Sequence, residues 1–163
     1  MLVEAFDKIC SYAHGNSTAG EKWKTNSNYK VNKTFIHNWV TNYDNRWPTE
    51  HVDLRYEAAE YFDDIVKAMC YLTGTNYDIS TGLRQFVHGT NGRWLEWGRW
   101  YQWGFFEIKG FKKGTMHFKF SDDKVWELFN RRVAELKGWQ LPQKTDKKTK
   151  GTERTVHTEM TLF

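Results

Sequence analysis

Phe105-Phe106-Glu107-Ile108-Lys109-Gly110-Phe111-Lys112-Lys113-Gly114-Thr115-Met116-His117-Phe118-Lys119-Phe120 is the stretch on which the fold turns. Lys112-Lys113-Gly114 reads as a hairpin loop, with Gly114 taking the left-handed conformation that such loops favour. That turn sets Ile108 opposite Phe118, Phe106 opposite Phe120 and Glu107 opposite Lys119. The apolar residues then share one face and the charged residues the other. A slip of one residue would exchange the faces, so turn chemistry and alternation specify the same register.

Working outward, Ser121 is expected to cap a helix whose first turn holds Asp122 and Asp123, where carboxylates favour the helix dipole. Val125, Leu128, Phe129, Val133 and Leu136 form its expected buried stripe, and Gly138 ends it. Upstream, Leu54, Ala58, Tyr61, Phe62, Ile65, Met69 and Leu72 recur at helical spacing, which predicts a helix over Asp53 to Leu72 stopped by Gly74. Tyr29 to Val40 contains Val31, Thr34, Phe35 and Ile36 and predicts a strand. A short helix is expected over Val3 to Tyr12, with Phe6, Ile9 and Cys10 inward, and another within Ile79 to Val87. His14 to Asn28 reads as a loop, as does Asn42 to Trp47. These pieces give an α+β fold: a small antiparallel sheet, including the hairpin near 99–120, packed against helices near 53–73 and 121–137. Residues 1–138 read as one domain. Residues 139–163 read as a basic, flexible tail, since Pro142 to Thr158 is polar and without periodicity.

The chain has 163 residues, of which 39% are hydrophobic and 17% aromatic, with 9 Trp, 8 Tyr and 11 Phe. Aromatic side chains bury large areas, so a modest number builds a core. Lys and Arg total 24 against 20 Asp and Glu, a net charge of +4, which permits an acidic partner without demanding one. Cys10 and Cys70 are far apart and read as buried thiols of a reducing compartment. No apolar run is long enough to span a bilayer, and the N-terminus lacks the pattern of a signal peptide. A cytoplasmic protein with no membrane partner is therefore expected, and no cofactor.

The outward face of the hairpin would show Glu107, Lys109, His117 and Lys119, with Lys112 and Lys113 at its tip and Trp97, Arg99 and Trp100 just upstream. Cations neutralise phosphates and flat rings stack on bases, so this set suits nucleic acid. The plainer alternative is a solvated strand face beside core aromatics. Arg131, Arg132 and Lys137 would extend the patch or form an ordinary charged helix face. Glu107-Ile108-Lys109 is an acid-x-Lys triplet of the kind metal-dependent nucleases use, with Asp78 as the available upstream acid; its alternative is an ion pair of Glu107 with Lys119. His14, His37, His51, His88, His117 and His157 show no metal-ligand spacing. Glu159-Met160-Thr161-Leu162-Phe163 is similar to the peptide with which bacterial replication proteins dock on the sliding clamp, Leu162 and Phe163 being the anchors, with Glu159 where that motif has Gln.

Three stretches carry a wider resemblance: Trp23-Lys24-Thr25-Asn26 with the strand after it; Phe62-Asp63-Asp64-Ile65-Val66-Lys67, reaching Leu72-Thr73-Gly74; and Phe105 to Asn130, containing F-K-x-G-x-x-H-x-x-F followed by Asp. Together they resemble a domain of unknown function that recurs in phage and plasmid proteins, often beside a DNA adenine methyltransferase. The resemblance implies a mobile-element setting close to DNA or host defence, and supplies no catalytic residues. The expected function is a non-enzymatic binding protein acting on nucleic acid or a host nucleoprotein complex, for instance as an inhibitor of an RNA-guided immune effector. The alternatives are a clamp-tethered accessory of DNA modification or replication, and a metal-dependent nuclease. Oligomeric state is left open.

Overall fold

The computed structural model describes residues 1–10, 30–89 and 94–139. In chain order the elements are α1 (Leu2–Cys10), β1 (Thr34–His37), α2 (Ala58–Thr73), α3 (Leu83–His88), β2 (Tyr101–Trp103), β3 (Phe106–Gly110), β4 (Met116–Phe120) and α4 (Asp123–Lys137), with a 3-10 turn at Ile79–Thr81. The strands form one antiparallel sheet in the order β1-β4-β3-β2. This is an α+β arrangement, and the hairpin has the expected register: Phe106 pairs with Phe120, Glu107 with Lys119 and Ile108 with Phe118. Gly114 sits at φ +98° and donates to the Phe111 carbonyl, while the Phe111 amide donates to Thr115. Lys112, Lys113 and Gly114 are thus the loop.

Helices cover one face of the sheet. The α2 ring Phe62 stacks on Phe118 with centroids 4.3 Å apart; Phe118 stacks on Phe35 of β1 at 5.2 Å; Phe120 meets the α4 ring Phe129 at 6.1 Å. Phe6 of α1 closes the layer against Phe129 and Trp139. Offset and edge-on ring pairs of this kind contribute about 0.5–1.5 kcal/mol each beyond their area burial. Cys10 and Cys70 are buried and unbridged, and burial, followed by Asp7, pushes the Cys10 thiol up to about 12. A carbonyl and an amide tie the chain entering β1 to α4: buried Asn130 accepts from the Val31 amide (2.8 Å), and the Trp126 indole donates to the Val31 carbonyl (2.9 Å).

Four expectations need correction. The helix expected from Asp53 begins at Ala58, because residues 53–55 are held in tertiary pairing: Asn42 donates to the Asp53 carbonyl, Arg55 to the Val40 carbonyl, and Leu54 bridges Thr41. The cap of α4 is Asp122, which is extended and accepts from the Lys124 amide. Ser121 is still bound to the sheet, its amide donating to Phe105 and its hydroxyl accepting from Gln102. Of the expected buried stripe of α4 only Phe129 and Val133 are buried; Val125 and Leu128 are half-buried and Leu136 is 59% exposed. β1 covers only Thr34–His37 of the expected strand, and Trp39 adopts φ +62°, the one non-glycine positive φ among the described residues. The cause is a bulge: the amides of Val40 and Thr41 both donate to the Gly114 carbonyl, so two residues oppose one. Tyr12, Tyr29, the loop to Asn28 and the tail from residue 140 lie outside the described residues. Gly74 and Gly138 end α2 and α4 in left-handed conformations, as expected.

Candidate nucleic-acid interface

The uncovered side of the sheet is built by alternation. Register sets Gln102, Glu107, Lys119 and Thr34 in one row across the four strands, and Lys109, His117 and Ile36 in the next. Their in-line neighbours Phe106, Ile108, Phe118 and Phe120 are buried beneath the helices. Phe111 continues the parity of Glu107 and Lys109 and emerges on the same side, with its ring centroid 4.6 Å from that of His117. Gly110 lies between them on the inner side, where a Cβ would stand 3.0 Å from both methyls of Val52; the glycine lets the 51–52 segment close over the sheet end. The Gly98 amide donates to the Gly110 carbonyl, which brings residues 97–100 alongside β3.

The lysines of this side sit over rings. Lys109 Nζ lies 5.5 Å from the centroid of Trp100 and 5.5 Å from that of Phe111; Lys113 Nζ lies 5.9 Å from Phe111. Trp100 is 41% exposed and Phe111 half-buried. Lys119 pairs with Glu107 at 3.2 Å, as the cross-strand alternative foresaw. The imidazole of His117 is held below its ordinary pKa by burial first, then by Lys113 and Lys109. Cations on this surface therefore disfavour another positive charge beside them, as a positive local potential requires.

Trp100, Lys109, Phe111, Lys113 and His117 converge. The other expected site residues do not all join them. Lys112 turns away from Lys113, its ammonium 4.9 Å over Tyr43, and lines a cleft of about 350 Å³ with Glu50, His51, Glu96 and Trp97. Trp97 is half-buried and its indole donates to the Thr49 carbonyl (2.9 Å), while Arg99 pairs with Glu96 at 2.8 Å. Arg131 and Arg132 are on α4, which packs under the covered face, so they lie across the sheet from Lys109; Arg132 also pairs with Glu135 at 2.7 Å. Trp94, Trp97, Trp100 and Trp103 recur every third residue but have different fates: Trp103 is buried, with its indole donating to the Thr81 carbonyl, Trp97 is half-buried, and Trp94 and Trp100 are exposed. Met160, Leu162 and Phe163 of the expected clamp-docking peptide lie outside the described residues.

For the acid-x-Lys triplet, the Glu107 carboxylate is paired with Lys119 and the Lys109 ammonium lies over the rings of Trp100 and Phe111. Asp78 is exposed just before the 3-10 turn, its carbonyl accepting from Thr81. Among the described residues, no group of three or more His, Cys, Asp or Glu could hold a metal ion, and no helix is long and apolar enough to cross a membrane. Two features escaped the sequence reading. Phe111 was legible by parity with Lys109. Trp39, 53% exposed beneath the Arg55 guanidinium at 4.6 Å, follows from the bulge and had no local signal.

No curated protein and no solved structure matches the chain. One family does, over residues 1–139, which takes in every described residue up to Trp139, whose ring packs on Phe6. The chain belongs to that family, Domain of unknown function (DUF4942).

Proposed function

We propose that this chain is a non-enzymatic binding protein that engages nucleic acid, free or within a nucleoprotein complex, through the uncovered sheet side and the hairpin tip. The observation that carries the reading is the segregation within β3 and β4. Every second residue packs beneath helices, while the intervening positions hold Lys109, His117 and Lys119, with Phe111 and Trp100 beside them. A glutamate, Glu107, offsets part of this charge. Ammonium groups spread over flat rings match the phosphates and bases of a nucleic acid. An inhibitor of an RNA-guided effector encoded on a mobile element, acting in the host cytoplasm, is the specific form favoured by the wider resemblance. Such an inhibitor would use the same surface against the effector's nucleic acid.

The test is salt-dependent binding. Fluorescence polarisation with labelled DNA and RNA should show affinity falling steeply with salt. Each of Lys109→Ala and Lys113→Ala should flatten the plot of log affinity against log salt by about 0.7–0.9 per lost phosphate contact. Absence of binding to either nucleic acid at low salt would reject the reading.

A further inference from the structure

Two rings flank one ammonium on the uncovered side of the sheet. Lys109 Nζ is equally distant, 5.5 Å, from the centroids of Trp100 and Phe111, so the ring centres lie within twice that distance of each other. Lys113 stands on Phe111 as well, at 5.9 Å. Trp100 and Phe111 thus share one ammonium, and Phe111 carries a second, so each ring has a cation within reach. A single nucleic-acid strand presents the matching groups, open base faces beside phosphates. A duplex does not: its base faces are already stacked on one another, and only groove edges and phosphates remain accessible.

We infer that the surface takes single-stranded nucleic acid, with one base stacked on Trp100, the next on Phe111, the phosphate between them on Lys109 and the following phosphate on Lys113. This rests on the nucleic-acid reading above and names its substrate class. An ammonium resting over a ring makes a weaker interaction than one paired with an anion, so each lysine has reason to leave its ring for a phosphate and free the ring for a base. Trp100 is 41% exposed, and the half-buried ring of Phe111 is approached on this side by the flexible side chains of Lys109 and Lys113 and by the imidazole of His117. Stacking is tolerant of sequence because every base has a flat face, so little discrimination among homopolymers follows.

The experiment compares four fluorescein-labelled ligands of about 12 nucleotides, within the span a single stacking groove occupies: oligo-thymidine, oligo-uridine, an abasic strand of equal charge, and a duplex. The full chain should bind a base-bearing strand about tenfold or more tighter than the abasic strand and the duplex. Trp100→Ala and Phe111→Leu should each shrink the ratio of base-bearing to abasic affinity. That ratio is insensitive to a partly unfolded sample, which lowers both affinities together. Equal affinity for base-bearing and abasic strands, preference for the duplex, or a ratio unchanged in both variants would overturn the inference while leaving a phosphate-binding function standing. Failure to bind any of the four at low salt would remove both.

Discussion

The two sides of the sheet are made by the same ten residues of β3 and β4, yet they obey different rules. On the covered side, Phe106, Ile108, Met116, Phe118 and Phe120 are essentially without solvent contact, and their rings meet rings from α2, α4 and β1. On the other, Glu107, Lys109, His117 and Lys119 are half-buried, and their contacts are one ion pair and several ammonium–ring approaches. Contacts of the first kind are numerous, close-packed and costly to lose. Those of the second kind are few and exchangeable with solvent or a ligand. Alternation along a strand thus separates what holds the domain together from what is available to a partner, and substitutions should separate in the same way.

The largest expected effect lies on the covered side. Phe118→Ala removes a ring stacked between Phe62 and Phe35 and should cost about 3–5 kcal/mol, read as a drop in the denaturant midpoint. A loss below about 1 kcal/mol would mean that this layer is not the core. Next comes Asn130→Ala, which strands the Val31 amide and should cost about 1–3 kcal/mol, with hydrogen exchange at Val31 accelerating more than exchange in the hairpin. On the other side, a double-mutant cycle of Glu107→Ala and Lys119→Ala should give a coupling under about 1 kcal/mol that shrinks with salt. A larger, salt-independent coupling would blur the contrast between the sides.

The smallest effect concerns pH. Because the folded-state pKa of His117 is lowered, folding favours its neutral form. Its contribution is present above the unfolded pKa, about 6.5, and is lost as pH falls through the folded value. The stability of the wild type should therefore decline more on acidification from about pH 7 to 5 than that of His117→Gln. A bound polyanion raises the affinity of His117 for a proton, so binding should tighten over the same window, and this increment should vanish in the variant.

Where local rules agreed, the sequence was readable. Gly114 allowed one turn, alternation allowed one register, and the resulting pairs are those of the structure. The end of each long helix was equally readable, since Gly74 and Gly138 stop them by conformation alone. Helix starts were not, because they depend on partners distant in sequence: Leu54 has helical spacing, but its backbone is taken by Thr41. The site was half legible. Lys109, Lys113 and His117 follow from parity and turn position, but the approach of Trp100 to Lys109 depends on the Gly98–Gly110 hydrogen bond, and the lodging of Lys112 over Tyr43 on a loop far away in the chain. Charge on α4 allowed either an extension of the patch or an ordinary charged helix face, and the packing of the helix puts Arg131 and Arg132 on the far side.

The bulge at Trp39 has a mechanical consequence. Through it the Gly114 carbonyl accepts two amides from the 40–41 segment, and the Thr41 hydroxyl donates to the Phe111 carbonyl at 2.6 Å, so the lysine-bearing loop is braced from outside its own hairpin. A loop fixed in this way surrenders little conformational freedom when something docks on it, which favours fast encounter and an unchanged backbone over folding upon contact.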